Sequence, residues 1–239
     1  SVLQGVRQLL HPNGALVMQV AYVGSLLRYT QFDWISHENT MNCSLTSILR
    51  LLGPHFLEVY DLVRLPNVYG GSLRLHIQNK GNKHRPITAE IQKLLKEEEQ
   101  QCLDRLVPYK AFVCRVEHHR QVLLELLNKL KAGGNTIAGY GASGRATILC
   151  SYYGVDKDII SYFIDDAPSK QGKLTPGTHL PILGSSVLYG GARPHWVVLF
   201  AWTYADSILK ANSEYVQQGG KFIIPLPHVQ VIEHNASRL

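Results

Sequence analysis

No two of the four cysteines form a Cys-x-x-Cys pair: Cys43, Cys102, Cys114 and Cys150 stand far apart in 239 residues. A zinc centre built on paired thiolates needs close spacing, so none is expected, and the thiols are predicted to be buried and reduced. The chain also lacks an apolar run long enough to span a bilayer and any secretory signal, which predicts an intracellular protein, cytoplasmic or organellar. A first residue of Ser1 rather than methionine raises the expectation of sequence upstream. Although the net charge is +6, the basic residues are scattered. There is no arginine-rich arm and no basic block interleaved with aromatics, so a nucleic-acid surface is not expected. The charge favours phosphorylated or acidic partners slightly. What the chain does have is 45% hydrophobic and 18% charged residues, enough apolar material for a packed core in one large or two small domains.

The apolar pattern changes along the chain. Residues 1–12 read as the end of a helix, with Leu3, Val6, Leu9 and Leu10 on one side. A turn at His11-Pro12-Asn13-Gly14 leads into a buried strand over 15–20. A helix over 44–52 is capped by Ser44. Two alternating segments, 56–65 and 72–78, are joined by a link short enough for an antiparallel pair. A polar linker over 79–86 follows, and then mostly helix from Thr88 to Leu130, with a restart or kink at Pro108. Val113, Val116, Leu123, Leu127 and Leu130 form its apolar stripe. Glu97-Glu98-Glu99 reads as a solvated face rather than a metal site. Gly133-Gly134 ends the helix. Beyond it strands are expected at 136–138, 159–164, 196–201 and 222–225, with helices at 143–153, 185–189 and 205–218. Continuous apolar strands alternating with helices predict a parallel sheet covered on both faces.

Gly139-Tyr140-Gly141-Ala142-Ser143-Gly144-Arg145 follows a predicted strand and opens a predicted helix, the context that a phosphate-binding turn requires. Gly139 and Gly141 permit a tight turn and close approach of a ligand. The amides of Ala142, Ser143 and Gly144 would lie at the helix N-terminus, where the dipole favours an anion. Ser143 can cap the helix or donate to phosphate, and Arg145 adds charge. Asp165 and Asp166 end the next strand, where an acid commonly takes a ribose hydroxyl.

Four motifs carry a family resemblance in their order and spacing: Gly139–Arg145, Ile164–Ile182, Ala201-Trp202-Thr203-Tyr204-Ala205-Asp206 and Gly219-Gly220-Lys221-Phe222-Ile223-Ile224-Pro225. With them the chain resembles the C-terminal domain of the nucleotide-sugar C-methyltransferases of deoxysugar pathways. Those S-adenosylmethionine-dependent enzymes methylate C3 of dTDP-4-keto-sugars. The resemblance extends upstream: Phe32-Asp33-Trp34-Ile35-Ser36-His37-Glu38-Asn39 looks like the family's catalytic segment, followed by Ser44-Leu45-Thr46-Ser47 and Gly70-Gly71-Ser72-Leu73-Arg74. It implies an α/β protein in three parts. Residues 1–78 would be the last strands of a class I methyltransferase sheet, 79–132 a linker with long helices, and 133–239 a Rossmann-like nucleotide-sugar-binding domain with a parallel sheet and helices on both faces. It further implies that Gly139, Gly141, Ser143 and Arg145 face phosphate, and that Asp165, Lys170 and Lys173 shape the nucleotide end of a cleft. Glu38 would lie near the sugar, and Arg74 would frame the sugar-side pocket.

The chain departs from the family in two places. Where the family reads Tyr-His-Glu-His, this chain reads Ser36-His37-Glu38-Asn39. The last histidine of that motif is the base that removes the proton beside the ketone, and an amide such as Asn39 has no usable lone pair for a proton. His37 remains as a degenerate catalytic or a structural histidine. The family's zinc cysteines and its cofactor-holding first strands have no counterpart, so this chain alone is expected to bind no cofactor. A sheet without its first strands exposes an edge that upstream sequence or a protein partner must cover. Three readings follow: part of a dTDP-sugar C-methyltransferase, a degenerate relative serving as a subunit of a larger, for instance mitochondrial, complex, or a nucleotide-dependent oxidoreductase.

Overall fold

The computed structural model describes residues 2–37, 41–66, 68 and 70–234. The chain divides into two compact units, Ser1–Cys114 and Arg115–Leu239. The division falls inside a long helix.

The first unit opens with α1 (Val2–Leu9) and holds a three-stranded sheet of β1 (Leu16–Ala21), β2 (Leu57–Leu65) and β3 (Ser72–Asn79), in the order β1-β3-β2 with both pairings antiparallel. The central strand is the one whose alternation is clearest in the sequence. Leu73, Leu75 and Ile77 are buried, while Arg74 between them is exposed. β1, expected to be buried, lies at one end of the sheet and turns one face outward, with Val17 57% exposed. After its last residue the chain forms a parallel bridge between Tyr22 and Cys43. A short helix, α2 (Val23–Arg28), follows β1.

Helix α3 (Leu45–Leu52) begins as its sequence predicts. The Ser47 amide donates to Ser44 Oγ, and Ser47 Oγ bonds back to the Ser44 backbone, a reciprocal cap. Leu45, Ile48 and Leu52, spaced for one helical face, are buried. A bulge at Tyr60 interrupts the β2–β3 register, and the freed Tyr60 carbonyl accepts the Thr88 amide at 2.9 Å. Thr88 Oγ1 also donates to Asp61, fixing the start of α4 (Ala89–Gln100).

Helix α4 corrects one expectation. Glu98 is not on a solvated face: it is 2% exposed. Its carboxylate accepts the Leu45 amide at 2.6 Å, the Thr46 amide at 2.9 Å and Thr46 Oγ1 at 2.6 Å. A buried acid thus satisfies the orphan amides of a neighbouring helix and complements its dipole. Its neighbour Glu97 pairs with Arg64 at 2.7 Å.

Helix α5 (Val107–Ala132) starts one residue before Pro108, a position where the missing N–H costs nothing. Of its predicted apolar stripe, Val116, Leu123 and Leu127 are buried and Leu130 is half-buried, while Val113 is 56% exposed. Phe112 and the polar His119 are buried as well.

The second unit is built on a six-stranded sheet. Its strands are β4 (Ile137–Tyr140), β5 (Phe163–Ile164), β6 (Ile182–Leu183), β7 (Trp196–Leu199), β8 (Lys221–Ile224) and β9 (Gln230–Ile232), in the order β6-β5-β4-β7-β8-β9. All pairs are parallel except β8–β9. β4 and β7 are wholly buried, as continuous apolar strands of such a sheet should be. Helix α6 (Gly144–Tyr153) follows β4. The segment 205–218, expected as one helix, is two: α7 (Ala205–Ala211) and α8 (Ser213–Gln217). Buried Asn212 breaks it, its side-chain amide donating to the Ile208 carbonyl and its own carbonyl accepting the Tyr215 amide. All four cysteines are free, but only Cys43 and Cys150 are buried; Cys102 and Cys114 are exposed. Burial pushes the Cys150 thiol up to about 12, which keeps it protonated and unreactive. Among the described residues no helix is long and apolar enough to cross a membrane, and no cluster of side chains is suited to a metal.

Candidate nucleotide site

The order of the second sheet decides where a ligand can lie. From β4 the chain moves outward to β5 and β6, then returns to the other side of β4 to make β7. Helices that leave adjacent strands in opposite directions open a crevice outside their carboxyl ends. Here that crevice lies beyond Tyr140 of β4 and Leu199 of β7. The Gly-rich turn leaves the first strand at this point, and Phe200-Ala201-Trp202-Thr203 leaves the second.

Two of the three glycines of the turn, Gly139 and Gly141, are required by contacts. Gly139 pairs with Phe163 across β4 and β5, and an added Cβ would lie 2.7 Å from the phenyl ring. Gly141 has φ +94°, and a Cβ there would meet Ala201 Cβ at 2.5 Å. The Ala201 amide donates to the Tyr140 carbonyl at 3.1 Å, so the two loops are joined at their roots. Ser143 caps α6, its Oγ accepting the Ala146 amide at 3.3 Å. The next amides, Gly144 and Arg145, occupy the first helical positions, which have no intrahelical acceptor.

Asp165 does not project into a ligand space. It is 7% exposed and accepts three donors: the Ala142 amide at 2.9 Å, the Ala167 amide at 3.0 Å and Lys170 Nζ at 2.8 Å. It therefore ties the Gly-rich turn to its own loop, and Lys170 is part of that tie. Gln171 Nε2 adds a bond to the Asp165 carbonyl at 3.0 Å. Asp166 accepts the Tyr140 hydroxyl at 2.5 Å; burial first, and this bond next, push that phenol above its ordinary range. Lys173 is exposed on the same loop. The Thr-Pro-Gly-Thr-His turn folds on itself. The Leu180 amide donates to Thr175 Oγ1 at 2.8 Å, and Thr175 and Thr178 share a hydrogen bond at 2.7 Å. A small hollow of about 10 Å³ lies between this turn and the start of α6, beside Ala142, Ser143 and Thr147. The Arg145 guanidinium lies 5.0 Å from the centre of the Trp202 ring, and its Nη1 donates to Thr203 Oγ1 at 3.3 Å.

A ribose hydroxyl needs a carboxylate with spare oxygens at the end of β5. Asp165 is committed to three donors, whereas exposed Asp166 accepts the Tyr140 hydroxyl through one oxygen, Oδ2. Of the two acids, Asp165 is thus taken up inside the fold.

Residues 67–227 match the family C-methyltransferase C-terminal domain. The chain belongs to this C-methyltransferase family. The C-methyltransferase NovU of Streptomyces niveus is 36% identical to it over 233 residues, a stretch that covers 97% of this chain and 54% of that protein. The chain thus spans about half the length of this C-methyltransferase relative.

The remaining predicted residues fall in the first unit. Glu38 and Asn39 lie outside the described residues. His37 is exposed and Ser36 half-buried, just after a 3-10 turn over Phe32–Trp34. Gln31, at the head of that turn, donates to the Gly70 carbonyl at 2.9 Å, so the segment leading to Ser36 is tied to the glycine pair. Arg74 lies across from Gln19 on the sheet and donates to its Oε1 at 3.2 Å. A cavity of about 170 Å³ beside the glycine pair is lined by Tyr22, Ser25, Arg28, Arg64, Gly71 and Glu97 rather than by Arg74. Sequence reasoning missed Trp202 as a neighbour of Arg145. The adjacency of two loops at a sheet crossover was the signal that could have found it.

Proposed function

We propose that this chain is the sugar-nucleotide-holding portion of a C-methyltransferase acting on a dTDP-4-keto-sugar, and that it does not transfer methyl groups by itself. The observation that carries the reading is the place of the Gly-rich turn, at the carboxyl end of β4 where the sheet order reverses. There the N-terminal end of the α6 dipole and the positive charge of Arg145 suit the diphosphate of a nucleotide. Residues 1–78 serve as the last strands of the methyl-transferring domain. Sequence homologous to the rest of the longer relative, or a protein partner, completes that sheet beyond β1. S-adenosylmethionine supplies the methyl group in the intact family, and no residue of the Gly-rich turn is assigned to it here. Asn39 in place of the family's basic histidine supports inactivity, because an amide cannot take the proton beside the ketone. An oxidoreductase reading is disfavoured by Asp165, whose carboxylate is spent inside the fold.

Two measurements test this. Calorimetry with dTDP should give binding that Gly141→Val abolishes, and silence from the unmutated chain would refute the nucleotide assignment. Incubation with labelled S-adenosylmethionine and a dTDP-4-keto-sugar should give no product, and any turnover by the chain alone would refute the inactivity.

A further inference from the structure

The first unit carries a basic hollow that the nucleotide reading leaves unused. It lies where the turn after α1 meets the link from β3 to α4, and its volume is about 380 Å³. Its walls include Arg7 from α1, Pro12, Asn79 at the end of β3, and Lys80, Lys83 and His84 from the link. None of the described residues that line it is acidic. Arg7, Lys80 and Lys83 are exposed, and none of them pairs with a carboxylate among the described residues. Glu58 touches the link from outside the hollow, its Oε1 accepting the Gly81 amide and Gln78 Nε2, each at 3.1 Å. On loose loops, three such charges would be ordinary solvated surface. Here the two segments are tied to each other. Asn79 Nδ2 donates to the His11 and Pro12 carbonyls at 3.3 Å, Asn82 Nδ2 to the Pro12 carbonyl at 3.1 Å, and Arg85 Nη1 to the Asn13 carbonyl at 2.9 Å. Asn79 is 8% exposed, and its Oδ1 is buried with no donor among the described residues. A buried acceptor left bare is costly and calls for a donor.

We propose that this hollow binds a phosphate monoester that also carries a hydroxyl group, the chemistry of a sugar or polyol phosphate. A dianion suits three cations that line one hollow, and the Arg7 guanidinium can take two of its oxygens at once. The hydroxyl supplies the donor that Asn79 Oδ1 lacks. A carboxylate or a phosphodiester brings a single charge and uses the cations less fully. Tying the two segments together before binding lowers the entropy lost when the ligand arrives. The hollow lies wholly in the first unit and the Gly-rich turn in the second, so this site does not depend on the nucleotide reading.

The test titrates the full chain by calorimetry, at low and fixed ionic strength, with glycerol 3-phosphate, methyl phosphate, acetate and a short oligothymidylate. Glycerol 3-phosphate should bind, and in NMR spectra it should shift the backbone amides of Gly81, Asn82, Lys83 and His84. Arg7→Gln should weaken it roughly 10-fold, the loss of a charge-assisted bond. Lys80→Gln and Lys83→Gln should each weaken it roughly 3-fold. All three side chains are exposed, so these variants should keep the fold. Methyl phosphate, which has no hydroxyl, should bind roughly 3- to 10-fold more weakly. This pair of ligands tests Asn79 without a substitution, because its amide also ties the two segments. Equal binding of the two esters would overturn the proposal, and so would acetate or the oligothymidylate binding as tightly as glycerol 3-phosphate. No binding at all would overturn it too, as would binding that Gly141→Val removes and the Arg7 and lysine variants leave intact.

Discussion

The ring of His119 sits in the core of the second unit, 7% exposed, between α6 and the end of β8. Its Nε2 faces the Pro225 carbonyl, which can only accept, so that nitrogen carries the proton. Nδ1 is then the acceptor for the Tyr153 hydroxyl, at 2.6 Å. This arrangement is complete only for the neutral ring. A second proton would bury a charge and reverse the polarity of the tyrosine bond. Burial is the main force holding the His119 pKa below the ordinary histidine range. The Pro225 bond opposes that shift, and His228 and His118 add to it as like charges. The sign follows directly. The unfolded chain takes up this proton below about pH 6.5, while the folded chain does not until a lower pH. Stability from His119 is therefore complete above pH 6.5 and falls as the pH drops towards the folded value, by up to ~1.4 kcal/mol per pH unit. His119→Gln keeps a donor for Pro225 but cannot place an acceptor for Tyr153, which should cost ~1–3 kcal/mol at pH 8. Each kcal/mol should lower the melting temperature by roughly 2–8 °C. The assay is denaturant unfolding of both proteins from pH 4.5 to 8, and the quantity read is the difference between them. That difference should shrink as the pH falls below 6.5, because only the parent loses the histidine contribution. A constant offset over the whole range would refute the reasoning, since the other histidines are common to both proteins.

Glu98→Gln should lower stability by ~1–3 kcal/mol, because one amide oxygen cannot replace a carboxylate that serves two helix amides and a hydroxyl. Denaturant midpoints check this, and hydrogen exchange at Leu45 and Thr46 should quicken. Asp165→Ala releases the Ala142 and Ala167 amides and Lys170 together. It should cost roughly 1–3 kcal/mol and loosen the Gly-rich turn, read as faster exchange at Ala142; unchanged exchange there would show that Asp165 does not hold the turn.

Much of the fold was legible because its signals are local. The alternation of Leu73, Leu75 and Ile77 set the central strand, and Ser44 marked the start of α3. The paired segments joined by 66–71 form the hairpin they predicted. What escaped depends on partners distant in sequence. β6 and β9 are two and three residues long, too short to show a period. Three consecutive glutamates look solvated, and nothing near Glu98 in sequence announces the α3 amides that bury it. His119 interrupts an apolar stripe, and Asn212 a helix, each because of a specific hydrogen bond. At the candidate site, the order and spacing of the motifs were enough to place the Gly-rich turn and its family. The direction of the Asp165 carboxylate was not legible, because it is set by how two loops fold back on one another.

The placing of β3 between β1 and β2 bears on how the protein is made. Leu16 pairs with Ile77, and Leu57 with Asn79, so both pairings of this sheet wait for one strand that leaves the ribosome after its two neighbours. Until then β1 and β2 have emerged but have no partner in the sheet, with apolar Leu57, Val59 and Leu62 uncovered. Such a nascent chain is most exposed to aggregation just before residue 79 appears. A pause in synthesis while β2 is outside the ribosome and β3 is still inside its exit tunnel would prolong that exposure.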